Sequence, residues 1–306
     1  MRGSYNPFMH PAGEWSALSI ALSSAIGARV SSVPAGQVHG GCINDSFRWE
    51  TSSSPLFVKV APATRLAMLE AEAAGLGELQ QAGAVRVPAV RALGATQEHA
   101  FLALEWINFG AASSTTESRL GEQLAWQHRI SAPGFGWHRD NTIGSTAQPN
   151  AWNDDWVEFF GERRLRYQLE LACRNGHDGQ LSSRGARLLE LMGAFFASHR
   201  PVPSLLHGDL WGGNWAADAA GEPVLFDPAV YFGDREADLA MTRLFGGFGN
   251  AFYTAYHATW PLDQAAGTRR TLYNLYHVLN HLNLFGGGYL AQAQSMIDRL
   301  LAELGH

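Results

Sequence analysis

Short apolar runs broken by glycine, proline and serine dominate the first third of the chain. Such runs predict β-strands, and two stretches with apolar residues at helical spacing predict helices. The predicted strands cover residues 31–33, 46–51, 56–60, 85–90 and 101–107, and the predicted helices cover 15–26 and 64–81. The pattern indicates a small unit that combines a sheet with helices.

Beyond residue 110 the apolar residues follow helical spacing almost throughout. The predicted helices cover residues 118–128, 153–172, 182–199, 236–245, 250–258, 268–283 and 289–304. The simplest fold class is α+β with two lobes. A small, β-rich N-lobe covers residues 1–107, a larger and mainly helical C-lobe covers 108–306, and a hinge joins them near 105–109.

One short segment of the C-lobe carries the most specific chemistry. Asp209 and Asn214 are separated by four residues, and Asp227 follows a predicted hairpin whose strands are 214–217 and 224–226. Such a hairpin brings Asn214 and Asp227 back to one end. This order predicts a phosphotransfer site in which Asp209 accepts the proton of a hydroxyl and the other two residues hold Mg²⁺ on a nucleotide triphosphate. Two ordinary turns with solvated carboxylates are the alternative.

The N-lobe offers candidates for binding the phosphates. Gly40 and Gly41 lie in a turn whose N–H groups could approach phosphate oxygens, although any tight hairpin uses such a pair. Lys59 lies within an apolar strand. It either points outward to solvent or holds the α- and β-phosphates, oriented by a carboxylate of the next helix. We prefer Glu72 to Glu70 for that role, because core-facing leucines follow Glu72 at helical spacing.

The hinge completes the predicted nucleotide site. Backbone groups of Glu105, Trp106 and Ile107 are expected to meet the edge of adenine, which needs one donor and one acceptor. In chain order, the glycine turn, the lysine, the glutamate, the hinge and the acidic segment predict one cleft that uses ATP and Mg²⁺.

Composition and charge narrow the class of protein. With 306 residues, a net charge of −6 and only two cysteines, the chain lacks a broad basic surface for nucleic acid and the means for a disulfide framework. Residues 1–14 lack the pattern of a signal peptide, and no apolar stretch reaches membrane-spanning length. We expect a cytoplasmic protein without nucleic-acid or membrane partners, either a monomer or a homodimer.

Taken together, these segments resemble the fructosamine/ketosamine-3-kinase family, within the protein-kinase-like and aminoglycoside phosphotransferase-like folds. The resemblance rests on GGCIN at 40–44, FVKV at 57–60, FGW at 135–137, HGDLWGGN at 207–214, GDREADLAM at 233–241 and NHLNLFGGGY at 280–289. The Trp-Gly-Gly spacer and the Arg-Glu-Ala-Asp segment separate this family from other small-molecule kinases. Asp234 departs from the family pattern, where a His is expected. If it touches the substrate, the preference among sugars would differ.

The resemblance implies an activity and several residue roles. It implies ATP-dependent phosphorylation of the 3-hydroxyl of a ketosamine, free or protein-bound, after which the adduct falls apart and frees the amine. Asp209 is similar to the proton acceptor of the family, and Asp238 to a buried acid that hydrogen-bonds the catalytic loop. His207 is expected to position this loop rather than transfer protons. We further hypothesise that the Trp211 ring lines the pocket for the sugar and its amine.

Three other functions use the same residues. An aminoglycoside- or choline-type kinase of the same fold is the nearest rival, and the Trp-Gly-Gly-Asn segment argues against it. A non-catalytic nucleotide-binding module is disfavoured because the lysine and the acidic residues are all present. A metal hydrolase that uses His207, Asp209 and Asp227 would act without ATP.

Cys42 is either an inert loop residue or an oxidisable thiol. Neighbouring N–H groups directed at phosphates would lower the pKa of a cysteine in such a loop. If oxidation of Cys42 blocks nucleotide binding, peroxide should inactivate the enzyme and a thiol should restore it. A Cys42→Ala variant that peroxide still inactivates would refute this hypothesis.

Overall fold

The computed structural model describes residues 12–38 and 44–306, with side chains described from Trp15 onward. These residues cluster into two compact units. The first contains the described residues up to Gly77 together with Pro88–Asn108, and the second contains Glu78–Val87 and Phe109–His306. Residues 78–87 thus belong to the second unit, although they precede the boundary predicted after residue 107.

A five-stranded antiparallel sheet forms the centre of the first unit. Its strands are β1 (Gly36–Val38), β2 (Asp45–Trp49), β3 (Leu56–Pro62), β4 (Val90–Ala95) and β5 (His99–Glu105), in the order β1-β2-β3-β5-β4. Helix α1 (Ala12–Ile26) precedes the sheet, and α2 (Leu66–Ala82) follows β3. Lys59 lies at the middle of the central strand, where it is opposite Ser46 on one side and Leu102 on the other.

Helix α1 packs one face against this sheet. Leu18 and Leu22 are one turn apart and fully buried, in the same cluster as Trp49 and Val58. The Trp15 ring meets Trp49 edge to face, with 5.5 Å between the ring centroids. The sheet therefore gains its hydrophobic core from a helix that precedes it in the chain.

Two predicted strands are wrong in position. Residues 31–33 do not form a strand, because side chains occupy the Ser31 carbonyl: it accepts hydrogen bonds from Ser19 Oγ and Trp49 Nε1, at 2.8 and 2.7 Å. The strand predicted at 85–90 begins only at Val90, and Pro88 before it has no N–H to donate to a ladder. The other predicted strands and both helices are present with shifted ends.

The second unit is mainly helical, as predicted. Its helices are α3 (Ser114–His128), α4 (Trp156–Phe160), α5 (Tyr167–Arg174), α6 (Gln180–Leu191), α7 (Glu236–Leu244), α8 (Asn250–Thr259), α9 (Ala266–Phe285) and α10 (Leu290–Glu303). A π-helical segment, Gly161–Arg166, joins α4 to α5. Helix α3 packs against α8, and the long helix α9 packs against α5, α7 and α10. No helix within 12–38 and 44–306 is long and apolar enough to cross a bilayer.

Three small antiparallel sheets complete the second unit. Strands β11 (Pro223–Leu225), β10 (Trp215–Asp218) and β6 (Phe109–Gly110) form one of them, and β9 (Ser204–Leu206) pairs with β12 (Tyr231–Gly233). Strands β7 (Asn141–Ile143) and β8 (Thr146–Gln148) form a hairpin. The β10–β11 hairpin confirms the hairpin predicted between Asn214 and Asp227.

The packing of α1 leads to a paired stability prediction. Leu22→Ala should lower the free energy of unfolding by about 2–5 kcal/mol, because Leu22 is 0 % exposed and its loss leaves a cavity. Ile20→Ala on the same helix should change it by less than about 0.5 kcal/mol, because Ile20 is 69 % exposed. Urea denaturation of both variants measures the difference. Equal losses would show that α1 does not pack as described.

Candidate active site

A buried carboxylate of helix α7 holds the loop that carries Asp209. Asp238 accepts hydrogen bonds from the backbone N–H groups of His207 and Gly208, at 2.7 and 2.9 Å. Burial alone would raise the pKa of Asp238, but the His128 ring and these donors hold it below its ordinary value. The ionised carboxylate thus fixes two consecutive peptide groups of the loop.

Gly208 has a backbone conformation that its neighbours require. Its φ is +83°, and a Cβ at this position would lie 2.0 Å from the carbonyl oxygen of Ala229. Any side chain would force the loop away from the segment after β11. The glycine therefore lets the loop pass close to that segment, which carries Asp227.

His207 positions the loop from the other side. Its Nε2–H donates to the Phe226 carbonyl, at 2.9 Å, and its Nδ1 accepts the N–H of Asp209, at 3.3 Å. Because a carbonyl only accepts, the ring is the neutral Nε2–H tautomer. Burial also lowers the pKa of His207, which keeps the ring neutral. Both ring nitrogens are thus occupied by backbone groups, which supports the prediction that His207 positions the loop.

Asn214 ties Asp209 to the hairpin. Its Nδ2 donates to the backbone oxygen of Asp209 at 2.8 Å and to Oδ2 at 3.3 Å. It also lies 3.5 Å from the backbone oxygen of Asp227. Since the amide nitrogen is directed to Asp209, the Asn214 Oδ1 atom is the one able to bind a cation.

Asp227 has a strained backbone at the end of the hairpin. Its φ of +56° makes it the only non-glycine residue with positive φ in the described part of the chain. Aspartate tolerates this left-handed conformation better than most residues, and such strain clusters at functional sites. The N–H of Phe226 donates to Asn214 O at 3.1 Å, so the ends of the hairpin stay together.

The two acids of this site influence each other. Burial and the nearby negative charge of Asp227 raise the pKa of Asp209 to about 7, and the hydrogen bond from Asn214 opposes this shift only in part. A carboxyl with this pKa can both accept and release a proton near neutral pH.

The first unit forms the predicted lysine–glutamate pair. Lys59 is 6 % exposed, and its Nζ lies 2.5 Å from Oε1 of Glu72 on α2. Lys59 therefore does not point to bulk solvent, and Glu72 rather than Glu70 is its ion-pair partner. A buried pair of this kind fixes the direction of the ammonium group.

The predicted hinge begins at Glu105, the last residue of strand β5. The backbone N–H of Glu105 donates to Ala89 O at 2.8 Å, and its carboxylate accepts the N–H of Ala89 at 3.2 Å. The Arg48 guanidinium lies over the Trp106 ring, with 4.9 Å between Arg48 Cζ and the ring centroid. Ile107 follows outside any helix or strand. The predicted loop residues Gly40, Gly41 and Cys42 lie outside the described residues.

The spacer after Asp209 is compact. Trp211 folds its ring over Gly213, where a Cβ would lie 2.3 Å from the ring, and it is half-buried. Gly212 touches the loop after α7: a Cβ on Gly247 would lie 2.5 Å from the Gly212 Cα. Close packing therefore explains why both residues of the spacer are glycine. The contact with Gly247 links residues far apart in sequence, and the adjacent glycines Gly246 and Gly247 are the sequence signal for it.

Asp234, a candidate substrate residue, is buried. It is 1 % exposed, and its carboxylate accepts hydrogen bonds from Tyr273 Oη and the Glu236 N–H, at 2.6 and 3.0 Å. His199 Nε2 lies 2.7 Å from the same carboxylate. Tyr273 and His199, which sequence reasoning missed because they come from two distant segments, make Asp234 a residue of the interior.

The chain is similar to known proteins over most of its length. The family model for fructosamine kinase matches residues 14–303. A probable ketoamine kinase of Synechocystis is 43 % identical over 289 residues, covering 94 % of this chain and 97 % of that protein. A chloroplastic protein-ribulosamine 3-kinase of Arabidopsis thaliana is 43 % identical over 272 residues, covering 88 % and 83 %.

Solved structures have the same fold. A crystal structure assigned to a fructosamine-3-kinase of Haemophilus somnus superposes with a TM-score of 0.84 at 28 % identity, covering 94 % of this chain and 97 % of that one. An aminoglycoside phosphotransferase, at 16 % identity, has a TM-score of 0.62 and covers 93 % and 98 %, a likeness that concerns the fold alone. The predicted α+β, protein-kinase-like fold class is confirmed.

The raised pKa of Asp209 predicts a pH-dependent gain in stability for Asp209→Asn. A carboxyl with a raised folded-state pKa contributes stability below its ordinary pKa of 3.8 and loses that contribution as the pH rises towards about 7. Without metal ions, the free energy of unfolding of the variant relative to that of the wild type should therefore increase as the pH rises from 5 to 8. The expected gain is about 1–3 kcal/mol.

Chemical denaturation in a chelating buffer at both pH values measures this gain. The control is Asp154→Asn, because Asp154 is exposed. The change that Asp154→Asn shows between the two pH values is subtracted from the change that Asp209→Asn shows. A pH-independent difference for Asp209→Asn would contradict the coupling between Asp209 and Asp227.

Proposed function

Because the chain belongs to the fructosamine kinase family, we propose that it transfers the γ-phosphoryl group of ATP to the 3-hydroxyl of ketosamines. Membership makes it a phosphotransferase with an alcohol group as acceptor. The observation that carries the proposal is the position of Asp209, whose backbone and side chain are both bonded to Asn214 beside the strained Asp227.

Asp209 is the proposed proton acceptor. The 3-hydroxyl oxygen attacks the γ-phosphorus, the bond to the β,γ-bridging oxygen breaks and ADP leaves, while the hydroxyl proton passes to an Asp209 carboxylate oxygen. Without metal the pKa of Asp209 is about 7; a cation beside Asp227 would lower it, so that the carboxylate is ionised and can accept the proton at neutral pH. The hydrogen bonds that hold His207, Gly208 and Asn214 keep this carboxylate in one place.

Asn214 and Asp227 are the proposed Mg²⁺ ligands. Amide and carboxylate oxygens are the donors that Mg²⁺ prefers, and the negative charge of Asp227 beside Asp209 fits a site that a cation completes. When bound, the metal neutralises charge on the nucleotide phosphates. Since it would also offset the charge of Asp227, the pKa of Asp209 should then fall below its metal-free value.

The nucleotide roles of the first unit are also proposals. The buried ion pair with Glu72 supports Lys59 as the group that contacts the α- and β-phosphates. The segment Glu105 to Ile107 begins at the last residue of strand β5, and its backbone groups are proposed to contact adenine. Gly40 and Gly41 are proposed for the phosphates from sequence alone.

The acceptor class rests on the relatives and on the spacer. Relatives more than 40 % identical bear the names ketoamine kinase and protein-ribulosamine 3-kinase. Trp211 is half-buried next to the catalytic loop, which supports the hypothesis that its ring lines the sugar-amine pocket. The phosphorylated adduct then breaks down and releases the amine, so the proposed outcome is deglycation of a metabolite or protein. We propose that the reaction takes place in the cytoplasm.

Acceptor-dependent release of ADP tests this function. With Mg²⁺ and ATP, ribulosamine or fructosamine adducts should stimulate ADP release, whereas aminoglycosides and choline should not. Asp209→Asn should lower kcat by about 100- to 10,000-fold, because the attacking hydroxyl loses its proton acceptor.

Two results would contradict the proposal. Stimulation by an aminoglycoside or choline alone would identify a rival kinase of the same fold. Binding of Mg²⁺ and ATP without turnover of any acceptor would identify a non-catalytic nucleotide-binding module.

Trp211→Ala should raise the KM for ketosamines with little change in the KM for ATP, and an unchanged ketosamine KM would exclude the ring from the pocket.

A further inference from the structure

Four polar residues form a hydrogen-bonded series that ends at Asp238, here called the Asp238 network. It consists of Arg235, Tyr256, His128 and Asp238. Arg235 Nη1 donates to Tyr256 Oη at 3.1 Å, Tyr256 Oη lies 2.8 Å from His128 Nδ1, and His128 Nε2 lies 3.2 Å from Asp238 Oδ2. All four residues are buried. The network therefore lies in the interior and ends at the carboxylate that holds the catalytic loop.

Close packing of two helices sets the middle of the Asp238 network. A Cβ on Gly121 of α3 would lie 2.2 Å from the Phe252 carbonyl oxygen of α8, so a side chain there would push the helices apart. His128 lies two turns after Gly121, and Tyr256 lies one turn after Phe252, which places both on the contacting faces. The helix packing thus brings the phenol to the imidazole.

One arrangement of protons gives every donor of the network an acceptor. An ionised Asp238 only accepts, so His128 Nε2 carries a hydrogen and donates to it. Arg235 only donates, so the Tyr256 oxygen accepts from it and the Tyr256 hydroxyl donates to His128 Nδ1. A second proton on His128, at Nδ1, would leave that hydroxyl without an acceptor among the described residues. His128 is therefore neutral, with its proton on Nε2.

Arg235 has a fixed position at the start of the network. Its Nη1 also donates to Trp260 O at 2.9 Å, and its Nη2 donates to Pro261 O at 2.6 Å. The guanidinium lies over the Trp260 ring, with 4.0 Å between Cζ and the ring centroid. These partners are uncharged, so the positive charge of Arg235 polarises the Tyr256 hydroxyl and strengthens the hydrogen bond that it donates to His128.

We propose that Tyr256 and Arg235 are positioning residues for phosphoryl transfer, because they keep the His128 proton on Nε2, where it supports Asp238. This inference rests on the proposed function. Asp238 then accepts from the His128 ring as well as from two backbone N–H groups of the catalytic loop. With the proton on Nδ1 instead, the Nε2 lone pair would face the carboxylate, and the loop that carries Asp209 would be held less firmly.

Tyr256→Phe tests this role, because it removes the hydroxyl and keeps the ring. With ATP and a ribulosamine, kcat should fall about 3- to 30-fold, since a buried acceptor loses its donor and Asp209 is less well positioned. The KM values for both substrates should change less than about twofold. An unchanged kcat, or a loss confined to KM, would overturn the proposal.

Tyr253→Phe is the matched control. Tyr253 lies on the same helix, and its hydroxyl lies 3.1 Å from Thr242 Oγ1, a contact that includes no member of the Asp238 network. This variant should keep kcat within about twofold of the wild type. Equal losses of kcat in both variants would show a general effect of removing a hydroxyl from α8 and would refute the specific role of Tyr256.

A double-mutant cycle tests whether Tyr256 acts through His128. His128→Gln keeps an amide that can donate to Asp238 but removes the ring nitrogen that Tyr256 contacts. In this background, Tyr256→Phe should change kcat less than about twofold, because its effect has no route left. Losses that multiply would show that the hydroxyl acts independently of His128, contrary to the proposal.

The position of the His128 proton can be measured without turnover. In ¹⁵N NMR spectra, the His128 ring nitrogens are assigned by their loss in His128→Gln. They should show the proton on Nε2 in the wild type and in Tyr253→Phe, and a proton shared between both nitrogens in Tyr256→Phe. A wild-type ring protonated at Nδ1, or at both nitrogens, would overturn the proposal.

These outcomes are distinct from failure of the proposed function. If the wild type phosphorylates no ketosamine, the proposed function fails and this inference fails with it, whatever the NMR spectra show. If the wild type is active while Tyr256→Phe keeps full kcat, the proposed function stands and only the role of the Asp238 network is refuted.

Discussion

The site depends on the hydrogen bonds that the buried Asp238 carboxylate accepts. It accepts two consecutive backbone N–H groups and contacts His128, so one buried charge joins helices α3 and α7 to the catalytic loop. A charge is costly in the interior unless such partners surround it. Here the partners are peptide groups of the loop that carries Asp209. The same hydrogen bonds therefore offset the cost of burying the charge and hold the loop in place.

The site also holds two acids close together. Each lies at the end of a different backbone segment. The Gly208 approach, the Asn214 amide and the hydrogen bond from His207 to Phe226 keep those segments in contact. Folding thus brings together negative charges that would separate in an open chain. A bound cation would offset this repulsion, so nucleotide binding and local stability should be coupled.

The sequence predicted what depends on local spacing. The Asp209–Asn214 interval and the turn before Asp227 predicted a hairpin, and helical periodicity predicted Glu72 over Glu70. The sequence did not reveal features of the structure that depend on side chains distant along the chain. Ser31 leaves the ladder because Ser19 and Trp49 occupy its carbonyl, and Asp234 is buried by partners from α9 and the segment after α6. The contact between the Phe245 and His281 rings has no periodic signal, because the two rings meet only after α7 and α9 pack together.

The left-handed backbone of Asp227 has a consequence for how this protein responds to selection. Glycine or asparagine would adopt a φ of +56° with less strain, and neither would add a second negative charge beside Asp209. A library screened only for heat resistance should therefore enrich these replacements at residue 227, and the survivors would lose the carboxylate. If the Asp227 carboxylate holds Mg²⁺ as proposed, selection for stability and selection for turnover act in opposite directions at this one residue.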